Sequence, residues 1–153
     1  MTVRAYHSED LPAVAAVFYD AVHSVDKTEY TKPQLDAWAP EDMDVNGWDD
    51  RLSNQYTLVA EKDGVLAGFG SMDGTGYLDL LYVRGAYQRM GAASRLLAAM
   101  ETEGRCRGVP AIVTAASRAA KLFFEKRGYR VQEAQTVGCR GQRFVNFKMR
   151  KDL

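Results

Sequence analysis

A chain of 153 residues with 46% hydrophobic and 26% charged residues and a formal net charge of zero has the make-up of one ordinary globular domain, able to bury roughly 70% of the surface its unfolded form exposes. Two cysteines, Cys106 and Cys139, without a CxxC pair, and only two histidines argue against a disulfide framework and a zinc site, so a reducing cytoplasm is the expected compartment. The opening "MTVRAYHSEDLPAV" lacks a long apolar segment and no run approaches the roughly 18 apolar residues of a membrane span, so neither secretion nor membrane insertion is expected.

Residues 3–6, "VRAY", read as a short first strand. Ser8 is a candidate N-cap, and Leu11, Val14, Phe18, Val22 and Val25 recur at helical spacing, predicting an amphipathic helix over residues 9–23 with His23 at the edge of its apolar stripe. The segment "DKTEYTKPQLDAWAPEDMDVNGWDDRL" mixes acidic residues, Pro33, Pro40 and two tryptophans. It reads as a short helix over residues 32–38, a loop and a helical turn near Trp48, and is too aromatic for a disordered linker. From Tyr56 the period changes: "YTLVAE" and "VLAGFGSM" flank an Asp63-Gly64 turn and predict a hairpin. "GYLDLLYV" follows as a third strand, whose alternation places Tyr77, Asp79 and Leu81 on one face and Leu78, Leu80 and Tyr82 on the other. A helix then runs to Arg107, where Gly108 and Pro110 stop it. "AIVT" reads as a short buried strand, and "SRAAKLFFEKRG" as a short helix with Ser117 at its cap and Gly128 at its end. "YRVQEA" and "RFVNFKM" close the chain as two strands paired with each other. The order predicts a single domain over residues 1–153, with a mixed α/β sheet and helices on both faces.

Charge is unevenly spread. Residues 26–50 carry eight acidic against two basic side chains, whereas residues 84–151 carry fifteen basic against four acidic, an excess of eleven. An anionic partner suits the second half, although solvated faces of opposite sign give the same counts. No helix-turn-helix, zinc-finger or aromatic RNA-binding signature accompanies the excess, so nucleic acid is not the expected partner.

Within the basic half, "YQRMGAASRLL" opens a helix with a glycine and small residues. A helix N-terminus presents unpaired N–H groups and about half a positive charge. Gly91, Ala92 and Ala93 leave room for a phosphate to approach and Arg89 adds charge, although a tightly packed turn explains the same small residues. A Walker A loop is excluded, because Gly91 is followed by Ala92-Ala93 with no lysine. A dinucleotide fingerprint fits poorly, because the stretch follows a hairpin rather than a first strand and has Ala93 in place of a glycine.

"LLYVRGAYQRMGAASRLL" resembles the acetyl-CoA motif of the GNAT superfamily of N-acetyltransferases: Gln or Arg, two residues, Gly, one residue, then Gly or Ala, behind a strand ending in valine. Here these positions are Gln88, Gly91 and Ala93 behind Val83. "ASRAAKLFFEKRGY" resembles that family's cofactor-side helix and its glycine-aromatic step into a strand, and the element order matches along nearly the whole chain. More narrowly, "AVHSV", "YTKPQLDAWAP", "FFEKRGY" and "CRGQRFVNFKM" resemble a bacterial YafP-like subgroup. The resemblance implies a mostly antiparallel, twisted sheet of about six to seven strands with a central splay for acetyl-CoA. It also implies direct transfer of the acetyl group to a primary amine of a small molecule or polypeptide, no metal, and a family in which homodimers are common.

By the same resemblance the pantetheine arm pairs with the backbone of Leu81 and Val83, on either side of Tyr82, and the Leu81 N–H polarises the thioester carbonyl. The turn from Gln88 and Arg89 through Met90, Gly91, Ala92, Ala93 and Ser94 takes the pyrophosphate, with Ser117 and Phe124 beside the arm. Phe124 departs from the family, which often has a tyrosine there to protonate the leaving thiolate. Tyr30, Tyr82 and Tyr129 are the alternatives, with Tyr30 preferred. Asp79 is a candidate base or amine-binding carboxylate, with a structural hydrogen-bonding role or plain solvent exposure as the competing readings. His23 has a suitable ordinary pKa, against a packed or surface histidine. Trp38, Trp48 and the acidic residues of 26–50 line or lid the acceptor site if the layout holds. Other readings are a catalytically silent acyl-CoA-binding module and an acetyltransferase acting on aminoacyl-tRNA.

Overall fold

The computed structural model describes the chain from Met1 to Leu153. Strand β1 (Thr2–Ala5) leads through a single 3-10 turn (Ser8–Asp10) into α1 (Leu11–His23), and two short helices follow, α2 (Lys32–Trp38) and α3 (Trp48–Ser53). A hairpin of β2 (Tyr56–Lys62) and β3 (Val65–Met72) precedes β4 (Tyr77–Val83). After a 3-10 turn (Gly85–Tyr87) come α4 (Ala92–Arg107), β5 (Ala111–Ser117), α5 (Lys121–Glu125), β6 (Arg130–Cys139) and β7 (Gln142–Asp152).

Ser8 does not cap α1. Its hydroxyl donates instead to Asp49 Oδ2 at 3.0 Å, and the helix proper begins at Leu11 with Pro12 in its first turn, where a missing N–H costs nothing. Thr31 is the true cap in this region. Its hydroxyl accepts the Gln34 N–H at 3.2 Å while the Gln34 side chain accepts the Thr31 N–H at 2.9 Å, a reciprocal arrangement that lets so short a helix persist. Gln34 then donates through Nε2 to the Arg143 carbonyl at 2.9 Å, which ties α2 to β7.

The seven strands form one sheet in the order β1-β2-β3-β4-β5-β7-β6. Every neighbouring pair is antiparallel except β4 and β5. The last two strands pair as expected, and β7 inserts between β5 and β6. One face of the sheet packs on Leu96, Leu97 and Met100 of α4 and on Phe124 of α5. The other packs on Val14, Val17 and Phe18 of α1 with Leu35, Trp48 and Leu52. Leu96, Leu97 and Met100 are fully buried, and each such side chain contributes roughly 1.5–3 kcal/mol.

The strict alternation expected along β4 fails at Asp79. The register with β3 passes from Ser71 opposite Leu80 to Met72 opposite Leu78, so Asp79 is the extra residue of a β-bulge. Leu78 and Leu80, two positions apart, consequently pack on opposite faces of the sheet.

Candidate functional site

Strands β4 and β5 pair only at Tyr77 with Val113 and Leu78 with Thr114, then separate beyond the bulge. The Thr114 hydroxyl donates to the Leu78 carbonyl at 2.9 Å at the point of divergence. Along β4, Val83 stands opposite Gly68 while the Arg84 N–H bonds the Ala67 carbonyl. This makes Val83 a non-hydrogen-bonded position of the β3–β4 ladder, and with it Leu81, two residues away. The backbone groups of both therefore turn from β3 into the gap, while those of Tyr82 face β3. The Val83 carbonyl has one side-chain contact there, the Gln88 amide at 3.4 Å.

At the end of the gap the chain makes the turn that opens α4. Asp20 Oδ2 of α1 accepts the Gly85 N–H at 2.8 Å, and a Cβ at Gly85 would stand 2.5 Å from Ser24 Oγ, so only glycine lets the loop lie this close to α1. Arg89 and Gly91 both take left-handed backbone conformations, φ 64° and 83°, and nothing lies within 4 Å of a Cβ built on Gly91. The first backbone bond of α4 runs from Arg95 N–H to the Gly91 carbonyl, so the N–H groups of Ala92, Ala93 and Ser94 precede the helix ladder. They border a cleft of about 810 Å³, with Gln88 and Arg89 on the same rim. Met90 does not contribute a side chain: it is 49% exposed, outside the cleft, against Lys62.

Arg127, which the sequence reading passed over, lines the opposite wall. Its guanidinium lies 3.8 Å from the Phe123 ring centroid, donates to the Phe123 carbonyl at 3.1 Å and reaches the hydroxyl of Ser94 on α4. No carboxylate pairs with it, so together with Arg89 it sets two guanidinium groups on the cleft beside a helix N-terminus. The basic run in "FFEKRGY" was the available signal.

A second cavity of about 220 Å³ opens from the cleft, and Trp38, Leu81, Tyr82, Ser117, Ala120 and Phe124 line both. Ser117 Oγ accepts the Ala120 N–H at 3.2 Å, so it caps a turn; the helix predicted from that point is only α5, starting at Lys121. Phe124 is buried edge-on against Phe123 and Tyr129. Tyr30 lines the small cavity, and its hydroxyl oxygen accepts the Ala119 N–H at 3.3 Å. The Tyr129 hydroxyl instead donates to Glu101 at 2.8 Å within the core, where burial above all holds its proton tightly. Burial pushes the Tyr82 phenol up to about 12.

Asp79 lines the small cavity, but both its oxygens are engaged: Arg51 donates to each at 2.7 Å, and Gln55 to Oδ2 at 3.0 Å. The carboxylate correspondingly raises the Arg51 pKa. His23 stays outside both cavities. Its ring stacks on Tyr19 and its Nε2–H donates to the Ala39 carbonyl at 2.8 Å, joining α1 to the end of α2. Trp48 is likewise core, packed edge-on against Phe18 with ring centroids 5.3 Å apart, whereas Trp38 lines the junction. Asp26 and Glu29 of the acidic segment border the large cleft.

Residues 26–151 match the family model of the acetyltransferase (GNAT) domain. The chain is 33% identical over 148 residues to the uncharacterized N-acetyltransferase YafP of Escherichia coli strain K12, covering 97% of this chain and 93% of that protein. The structure superposes on a GCN5-related N-acetyltransferase from Rhodopseudomonas palustris with a TM-score of 0.95 at 34% identity, over 99% of this chain and 95% of the other. It also superposes on the PaiA N-acetyltransferase of Thermoplasma acidophilum, solved with coenzyme A, with a TM-score of 0.82 at 20% identity over 99% and 98% of the two chains. A splayed sheet, an open helix N-terminus and a matching family model along most of the sequence lead to one assignment: the chain belongs to the GNAT family of acetyltransferases.

Proposed function

We propose that the large cleft takes acetyl-CoA and the small cavity a primary amine, which attacks the thioester where the two meet. The observation that carries this reading is the set of six residues shared by both cavities, because a group-transfer site needs donor and acceptor to converge. The fit to the donor is supported by chemistry on this chain. Backbone of Leu81 and Val83 turned away from β3 into the gap suits an amide-bearing arm, and the N–H groups at the start of α4, with Arg89 and Arg127, suit a pyrophosphate. The PaiA protein, solved with coenzyme A, has the same fold.

The Leu81 N–H then stands as donor to the thioester oxygen, where negative charge develops. The amine attacks in its neutral form. With Asp79 held by Arg51 and His23 remote, its proton passes to water rather than to a side chain. Tyr30 keeps its phenolic proton for the leaving thiolate, replacing the function that Phe124 lacks.

Release of free thiol from acetyl-CoA, followed with a panel of primary amines, tests the proposal. Amine-dependent release supports it. Tight acetyl-CoA binding without release by any amine would favour a silent acyl-CoA-binding module.

A further inference from the structure

Asn146 Oδ1 is a buried side-chain oxygen without a hydrogen-bond partner. Asn146 lies on β7, in register with Ser117 of β5 on one side and Gln135 of β6 on the other, and it lines the small cavity. Directly opposed residues of antiparallel strands project from one face with Cβ atoms about 4.5–5.5 Å apart. Asn146 therefore stands beside Ser117, which lines both cavities, while Asn146 itself lines the small one. Leaving a buried acceptor unpaired is destabilising, and a ligand that brings its own N–H removes that penalty.

The remaining walls restrict that ligand. Trp38, Tyr82 and Phe144 give the cavity aromatic faces, and Val137 and Val145 extend its apolar surface. The only carboxylate there, Asp79, is spent on Arg51 and Gln55. A cationic nitrogen beyond the reacting one would be desolvated in the cavity without a counter-charge, which is costly. A volume of about 220 Å³ suits a compact body.

We propose that Asn146 Oδ1 accepts an N–H of the acceptor amine and that the acceptor is a primary monoamine with a compact apolar body. This deepens the acetyl-CoA-dependent reading above and rests on it.

The test is steady-state kinetics on the full chain with 2-phenylethylamine, isopentylamine, spermidine and a short peptide with a free N-terminus, beside calorimetric acetyl-CoA affinity. The expected wild-type order puts both monoamines about tenfold or more above spermidine and the peptide in kcat/KM, a gap of the size a mismatched pocket produces. Asn146→Leu should raise the monoamine KM by about tenfold, as loss of one hydrogen bond to an ammonium does, and leave acetyl-CoA affinity within about threefold. Asn146→Asp, which keeps an acceptor oxygen and its shape, should lower that KM, and decides the point if the leucine variant does not fold. An unchanged monoamine KM in Asn146→Leu, an equal loss of acetyl-CoA affinity, or an unchanged or raised KM in Asn146→Asp overturns the role of Asn146. Better use of spermidine or the peptide, or acetyl-CoA binding without turnover of either monoamine, overturns the substrate class alone. Absence of acetyl-CoA binding by folded wild type overturns the underlying reading instead.

Discussion

Arg51 grips Asp79 on both carboxylate oxygens, through Nε and Nη2 at 2.7 Å each. The pair spans from α3 to the bulge of β4, where Asp79 lines the small cavity. A carboxylate so engaged must surrender a guanidinium bond before an amine can reach it. Asp79→Asn should therefore lower kcat by less than about threefold, against the 10²–10⁴-fold loss expected of a general base. The side chains are 42% and 18% exposed, so the stability loss should be no more than about 1 kcal/mol. Steady-state kinetics and a thermal melt check both figures, and a loss of kcat beyond about a hundredfold would restore Asp79 as the base.

Tyr30 presents a hydroxyl already oriented by the Ala119 N–H, so its own proton is free to donate. Tyr30→Phe keeps the ring packing against Trp38, with centroids 5.6 Å apart, and removes only the donor. The expected result is a fall in kcat of about 10²-fold with acetyl-CoA affinity retained. Unaltered kcat would pass the role to Tyr82 or to water.

Arg127 stacks on Phe123 and faces Ser94 at the start of α4 without a carboxylate partner. Arg127→Leu should weaken acetyl-CoA binding by about 10–100-fold, the loss of one hydrogen bond to a charged phosphate. It should also flatten the salt dependence of that binding, because one guanidinium–phosphate attraction is gone. Equal affinities at low and high salt in both proteins would remove Arg127 from the phosphate site.

Away from the site, Arg4 donates to both oxygens of Asp10, each at 2.9 Å, and also bonds Glu61. The hydrogen bonds from Arg4, foremost among the causes, hold the Asp10 pKa below its ordinary value. A carboxyl whose folded pKa is depressed contributes stability that is complete above the unfolded value, about 3.9, and is lost as pH falls through the folded value. The melting temperature of the wild type should thus drop below about pH 4 more steeply than that of Asp10→Asn, which lacks this proton linkage. Parallel pH profiles would contradict the assignment.

The elements that sequence made legible are those set by neighbours along the chain. The Asp63-Gly64 turn has positive φ at both residues and closes the hairpin where a two-residue turn signal predicts. Gly108 ends α4 in the left-handed conformation expected of a helix terminator. The open N-terminus of α4 was legible for the same reason, since Gly91 and its small neighbours are consecutive. What escaped depends on distant partners. The bulge at Asp79 exists only against β3, and it reverses the faces that simple alternation assigns. The bonds that occupy Asp79 come from Arg51 and Gln55, and those that hold His23 from Ala39, neither visible as a local pattern. Asn146 sits in a strand whose exposure depends on β7 lying between β5 and β6, so no periodicity marks its orphan oxygen.

Calorimetric titration of the purified, folded protein with acetyl-CoA, with dephospho-CoA and ATP as comparators and Gly91→Glu as the altered chain, tests the central claim most directly. Gly91 adopts a left-handed backbone at the mouth of the cleft, and a glutamate there sets a carboxylate at the proposed phosphate site. Micromolar binding to wild type, abolished in a folded Gly91→Glu variant, is the predicted result. No binding by wild type, or equal binding by both proteins, would mean that the turn before α4 is a tight corner and not a cradle for the donor.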